Sequence, residues 1–269
     1  MKELNLQELK EIEFDILKVF DSFCKENNIK YFLAFGTLLG AIRYKKFIPW
    51  DDDIDVLVPR EDYNRLVDLF KDSDRYRLYS FEKNPKFHYP FAKLCDMTTR
   101  KEQTIYKNKG VELGVEIDIF PLDTWENDLE KAKLEVARIK KYQDWLKITK
   151  LEKAPGKKGF KHAVWTVIFP LVKMIGGGYF IKKMIKESNK PSQKGSGYVG
   201  AKVWAIYGEK GIIPAEAFAD SVEIEFEGQM FPAPIGWDTY LTCLYGDYLP
   251  EPPKEKQKSH HNFIAYTKS

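Results

Sequence analysis

The stretch Tyr31–Arg60 reads YFLAFGTLLGAIRYKKFIPWDDDIDVLVPR. An apolar run from Tyr31 to Phe35 leads straight into Gly36-Thr37. Seventeen residues after Gly36 stands Asp53, inside an acidic cluster of Asp51, Asp52, Asp53 and Asp55. Charge runs normally lie on solvated surface. This one flows into Ile54, Val56, Leu57 and Val58, residues that favour a buried strand. Carboxylates at the start of a buried strand repel one another unless a cation lies among them. The conflict predicts a metal site.

Strand geometry names the ligands. Side chains two apart share a face, so Asp53 and Asp55 point the same way. In LGVEIDIFPLD, starting at Leu113, one face carries Val115, Ile117 and Ile119 and the other Glu116, Asp118 and Phe120. Asp118 is a carboxylate in an otherwise apolar strand. If the two strands are neighbours, three carboxylates converge, a donor set suited to Mg²⁺, or to Mn²⁺ in its place. Two such ions would clamp the attacking and leaving oxygens of a phosphoryl transfer. Gly36-Thr37 supplies the other half. Glycine lets backbone approach a phosphate, and Thr37 is placed to cap a helix over Leu38–Arg43 whose free N–H groups favour anions.

Working outward, residues 5–24 predict an amphipathic helix. Asn5 and Glu8 form its capping box, and Leu9, Ile12, Ile16 and Phe20 recur at helical spacing. Strands are expected over Lys30–Phe35 and Asp53–Val58, the latter stopped by Pro59, then over Tyr76–Phe81, Tyr89–Cys95 and Leu113–Phe120. Helices are expected over Arg60–Lys71 and Glu126–Leu151. This alternation predicts an α+β (α/β) fold, a mixed sheet with flanking helices and a helical or irregular accessory region. The expected division is a core over 1–125 including the N-terminal helix, a helical accessory region over 126–197, and a segment over 198–269 that packs back on the core and contributes to the substrate site.

The run AVWTVIFPLVKMIGGGYFI, residues 163–181, is apolar except for Lys173. Pro170 and Gly176-Gly177-Gly178 interrupt it, and Lys157, Lys158, Lys161, Lys182, Lys183 and Lys186 flank it. It reads either as a buried helix pair or as an interfacial element making peripheral contact with an anionic membrane surface.

Composition bounds the rest. The chain has 269 residues, 43% of them hydrophobic, enough for a sizeable core. Forty-three basic and 40 acidic residues give a net charge of +3, too mild for a nucleic-acid partner. Cys24, Cys95 and Cys243 form neither a disulfide framework nor a zinc motif, so a reducing, cytoplasmic setting is expected. The N-terminus is too charged for a signal peptide, and no run of eighteen apolar residues predicts a membrane span.

Gly36-Thr37, Asp53-Ile54-Asp55 and Asp118 in this order resemble the polymerase-β-type nucleotidyltransferase pattern. More narrowly, GTLLGAIRYKKFIPWDDDIDVLVPREDY resembles the signature of the LicD family, and FAKLCD, VEIDIFPLD and LYGDYLPEPP are similar to its later motifs. The resemblance is weak between about 125 and 195. It implies a nucleotidyltransferase fold and Mg²⁺-dependent transfer of phosphocholine from CDP-choline onto a cell-surface glycan or its lipid-linked precursor, of the teichoic-acid or lipopolysaccharide kind. Carried over, Asp53, Asp55 and Asp118 hold the metal, and Asp118 accepts the acceptor's proton. Gly36 and Thr37 face the donor phosphates, and Arg43 and Lys93 neutralise the pyrophosphate. Choline, a quaternary ammonium, calls for aromatic faces and nearby carboxylates; Trp50, Tyr89, Trp204, Tyr207, Trp237, Tyr245 and Tyr248 are the candidates, with Trp50 favoured for its place beside the acidic cluster. His260 and His261 lie in a basic tail that either closes over phosphate or stays solvated. A lipid-linked acceptor places the protein at the inner face of the cytoplasmic membrane. The competing readings are a metal-dependent nucleotide-sugar glycosyltransferase, another nucleotidyltransferase, and a non-catalytic binding protein of the same fold.

Overall fold

A computed structural model describes residues 1–103, 110–153, 160–190, 197–258 and 263–268, with backbone alone at 160–163. His260 and His261 lie outside the described residues. In chain order the elements are β1 (Lys2–Glu3), α1 (Leu6–Glu26), β2 (Phe32–Leu33), α2 (Phe35–Tyr44), β3 (Asp55–Pro59), α3 (Arg60–Leu69), β4 (Tyr76–Tyr79), β5 (Ala92–Gln103) and β6 (Leu113–Thr124). There follow α4 (Leu129–Lys150), α5 (Phe160–Ile175), α6 (Gly177–Ser188), β7 (Tyr198–Gly200), β8 (Ile213–Pro214), β9 (Ser221–Phe226), β10 (Gln229–Pro234), α7 (Trp237–Tyr245) and β11 (Phe263–Thr267).

The main sheet runs β1-β11-β5-β6-β3-β2, with β4 beside β5, β7 beside β6 and β8 beside β7. It is mixed, as expected: β3 runs parallel to β6, while β5 is antiparallel to β6. β9 and β10 form a separate antiparallel hairpin. β6 lies at the centre because its inner face is wholly apolar. Val115, Ile117 and Ile119 have no solvent exposure. The predicted capping box of α1 is present, with Glu8 N–H donating to Asn5 Oδ1 at 3.0 Å and Asn5 N–H to Glu8 Oε2 at 3.0 Å. Arg60, opening α3, grips Asp123 in β6 with two bonds of 2.7 and 2.8 Å, which fixes the crossover from β3.

Three expected strands are shorter than read, the one over Tyr76–Phe81 ending at Tyr79. The strand over Lys30–Phe35 contracts to β2, because α2 already begins at Phe35, with Ala34 as its N-cap. The strand over Asp53–Val58 begins only at Asp55, so Asp53 belongs to the loop that precedes it. The C-terminal segment enters the main sheet through β11 on β5 and through β7 on β6. One apolar cluster runs from Phe20 and Leu57 through Ile117 and Ile139 to Ile181 and Tyr240. Helix α5 contains Pro170, and at Gly176, whose φ of +78° suits glycine, the chain turns by 72° into α6. Among the described residues no single helix is long and apolar enough to cross a membrane.

Candidate active site

Three adjacent strands place a row of charges on one face of the sheet. Asp55 of β3 is the register partner of Asp118 of β6, and Asp118 is in turn the partner of Lys93 of β5. Register partners project to the same side. Lys93 Nζ donates to Asp118 Oδ1 and, at 3.1 Å, to Glu116 Oε1. Lys101 Nζ reaches the same Glu116 oxygen at 2.7 Å.

The electrostatics follow from that row. Burial pushes the Asp55 carboxyl well above the usual carboxylate range, Asp53, Asp118 and Asp51 push it further, and Lys93 only partly opposes them. Burial acts the same way on Glu116, but Lys101 and Lys93 outweigh it and hold that carboxyl low. Lys93 is buried, yet Asp118 and Glu116 keep its amine charged well beyond the ordinary range. Asp118 is therefore paired, while Asp55 carries the repulsion that the sequence announced.

The start of α2 packs against this row. Thr37 is buried, and its Oγ1 accepts the Asp55 N–H at 2.8 Å. The Ala34 N–H donates to the Asp55 carbonyl at 3.0 Å. Thr37 thus stitches helix to strand and does not cap α2, because the helix starts two residues before it; no side chain caps α2 at Ala34. Gly36 matters for space: a Cβ there would stand 2.6 Å from Asp51 Oδ2. The loop carrying Asp51–Asp53 is held from below by Lys10 Nζ, which bonds the carbonyls of Ile48 at 2.9 Å and Pro49 at 3.0 Å.

The remaining expected site residues separate. Arg43 lies at the far end of α2, where its Nη2 bonds the carbonyls of Tyr248 and, at 2.8 Å, Pro250. It anchors the C-terminal loop and is not brought to the acidic row. Trp50 is half-buried and packs on the main core.

Aromatic rings flank the row. Phe35 stacks on Tyr207 with centroids 5.2 Å apart, and the Tyr207 and Tyr245 hydroxyls share a 2.7 Å hydrogen bond. Burial pushes the Tyr207 hydroxyl up against the opposing bond from Tyr245, and Asp55, Asp53 and Asp51 add to the rise, so the ring lies in the field of the carboxylates. On the β5 side, Lys93 Nζ lies 4.8 Å and Lys150 Nζ 4.4 Å from the centroid of Tyr89. Burial and the nearby Lys93 push the Lys150 amine down to about 8. Among the described residues no carboxylate pairs with Lys150, so two cations stand beside one ring.

Sequence reasoning passed over Lys150, Glu116 and Glu13. Lys150 ends a long charged helix and carries no local signal. Glu13 has no solvent exposure, and neither carboxylate oxygen has a hydrogen-bond partner. Burial pushes its carboxyl well up; Lys101 opposes this, and Asp53, Glu116 and Asp52 add to it. Its position on the buried stripe of α1, four after Leu9 and three before Ile16, was the available signal.

The donor set has the chemistry of a hard-cation site, with repulsion at the Asp55 carboxylate that Lys93 only partly offsets. Among the described residues no three acidic, histidine or cysteine side chains are gathered at ligating spacing. The register pair Asp55 and Asp118 fits Mg²⁺ without a third, since that ion is commonly held by one or two carboxylates plus phosphate oxygens and water. A cavity of about 450 Å³ lies apart from this row, lined by Tyr31, Phe32 and Phe218 among others.

A model of the family described as LicD/FKTN/FKRP, nucleotidyltransferase domain, matches residues 28–145. That span includes α2, the acidic loop, Lys93 and Asp118. The whole chain is similar to the lipopolysaccharide cholinephosphotransferase LicD of Haemophilus influenzae, 34% identical over 275 residues and covering 99% of each chain. An uncharacterised protein of Rickettsia typhi is 30% identical over 124 residues, 45% of this chain and 37% of that one. A second, from Rickettsia prowazekii, is 43% identical over 56 residues, 21% of each.

Proposed function

Because the chain belongs to the LicD family, we propose that it is a transferase that moves phosphocholine from CDP-choline onto a sugar hydroxyl of a cell-surface glycan or its lipid-linked precursor. The observation that carries the reading is the row Asp55–Asp118–Lys93 beside the start of α2. It combines a carboxylate whose repulsion is only partly offset with nearby cations, the two needs of chemistry on a pyrophosphate. The full-length similarity to a cholinephosphotransferase supports the choice of donor.

In this account the acceptor oxygen attacks the phosphorus that bears choline, and the P–O bond to CMP breaks. Asp118 takes the proton from the acceptor hydroxyl, and Lys93 fixes the carboxylate that does so. Asp55 and Asp118, with Asp53 alongside, would hold Mg²⁺, which when bound withdraws charge from the pyrophosphate oxygens. The Gly36 and Thr37 N–H groups in the first turn of α2 and the Lys150 ammonium take up charge on the donor phosphates, the Phe35 N–H being held by the Tyr240 hydroxyl at 3.3 Å. Tyr207 and Tyr245, lying in the field of the carboxylates, suit a quaternary ammonium better than Trp50, which is engaged with the core.

The test is donor choice. Purified protein with Mg²⁺ is offered CDP-choline, CDP-ethanolamine and UDP-sugars in turn. Release of CMP from CDP-choline, stimulated by a glycan acceptor, is expected. Turnover of UDP-sugars with CDP-choline untouched would replace this reading by a glycosyltransferase.

A further inference from the structure

Helix α5 carries an apolar stripe that faces outward. Val167 is 62% exposed, Leu171 48%, Met174 78% and Ile175 49%, and Pro170 is exposed between them. Positions 167, 170, 171, 174 and 175 follow helical spacing and fall on one side. A helix that packs only within a protein turns such a stripe inward. Beyond the bend at Gly176, the exposed ring of Tyr179 extends the surface. The opposite side of the same helix pair is ordinary core, with Val172, Phe180, Ile181 and Met184 buried.

We propose that the α5–α6 pair docks flat on an anionic lipid bilayer through this stripe. Charge complementarity selects the occupant. Lys182 and Lys186 are exposed on α6, and Lys183 Nζ lies 5.3 Å from the Tyr179 ring, so cations and an aromatic border the apolar patch. That is the composition of an interfacial helix, apolar on one side and lysine-rich at the edge. The 72° bend between helices of 16 and 12 residues suits lying on a surface, not crossing it.

The same elements tie the patch to the active site. Lys173 Nζ bonds the Thr149 carbonyl at 2.9 Å. Gly177 lets α6 close on α4: a Cβ there would stand 3.0 Å from Leu146 Cδ1 and 3.2 Å from Thr149 Oγ1. The next residue, Lys150, reaches the Tyr89 ring beside Lys93 and hence Asp118. Docking therefore brings the acidic row to the bilayer, where a lipid-anchored acceptor is held. That last clause rests on the proposed transferase activity; the docking itself does not.

The test uses the full chain and no substrate, so it stands or fails separately from the transferase assay. Co-sedimentation is measured with phosphatidylcholine vesicles with and without phosphatidylglycerol. Binding to the anionic vesicles that weakens with salt is expected. The double variant Leu171→Glu/Met174→Glu, at exposed positions, should keep its circular dichroism spectrum and lose at least about tenfold in vesicle affinity. Lys182→Ala and Lys186→Ala should each cost about fivefold. No binding of the unmodified protein to anionic vesicles would overturn the proposal, as would undiminished binding of the glutamate variant. A dimer in light scattering that the glutamate variant dissolves would assign the face to a second copy and also overturn it.

Discussion

Asp55 and Asp118 are register partners across the parallel pairing of β3 with β6, two carboxylates side by side on one face of the sheet. Among the described residues only one of them is paired with a cation, since Lys93 bonds Asp118 while Asp55 repels its neighbours. Asp55→Asn keeps the shape and removes that repulsion. Thermal denaturation in the presence of a chelator should show the variant about 1 kcal/mol more stable, and transfer activity should fall more than about a hundredfold. A variant that unfolds would make Asp55 a structural residue.

Lys93 predicts the opposite sign. It is buried between Asp118 and Glu116 and lies next to a second lysine that shares Glu116. Lys93→Met leaves Asp118 without its ammonium partner in a partly buried site. Denaturant unfolding should show a loss of about 3 kcal/mol or more. Recovery of most stability by Lys93→Arg would show that the charge is what matters.

Lys150 supplies a pH signature. Its amine is pushed down to about 8 by burial and by Lys93. Between that value and the unfolded lysine value near 10.4, the folded chain binds fewer protons than the unfolded chain. The contribution of the neutral amine is therefore fully present above the unfolded value and is lost as pH falls through about 8. Lys150→Met should raise stability at pH 7 by about 1 kcal/mol, a figure discounted for partial exposure. It should also flatten the stability profile above pH 8, measured by thermal melts across pH. If Lys150 meets the donor phosphates, the same variant raises KM for CDP-choline about tenfold with a smaller change in kcat.

Two glycines of α2 should answer differently to alanine. At Gly36 the new methyl meets only the end of a side chain, the Asp51 carboxylate. At Gly40 it meets backbone, 2.6 Å from the Lys46 carbonyl and 3.0 Å from the Ile48 nitrogen. Gly40→Ala should cost about 2 kcal/mol or more in stability. Gly36→Ala should cost less than about 1 kcal/mol yet lower activity, because Asp51 is displaced from the start of α2.

What could be read in advance follows a physical divide. Asp118 stood out because period-two alternation fixes which side of a strand a residue faces, and the capping box of α1 because it is wholly local. The pairing of the strands bearing Asp55 and Asp118 stood only as a condition, because nothing local to either strand names its neighbour. Thr37 was misread because a hydroxyl before a helix resembles a cap, whereas the helix starts earlier and the hydroxyl serves Asp55. Arg43 was misplaced because its partners, the carbonyls of Tyr248 and Pro250, come from a loop some two hundred residues away. Lys150 reaches the site only through tertiary packing, which leaves no periodic mark on the sequence, and the same packing singles out Tyr207 from the pool of candidate aromatics.

The proposed role of the Asp55–Asp118 pair, serving transfer of phosphocholine from CDP-choline to a glycan, can be followed on the acceptor itself. The most direct measurement incubates the protein with Mg²⁺, CDP-choline labelled in its choline and a glycan acceptor, and follows label on the acceptor alongside CMP. Labelled acceptor and CMP are expected in equal amounts, and neither from Asp118→Asn protein whose fold is intact. Label transfer that survives Asp118→Asn, or CMP formed with no label on any acceptor, would contradict it.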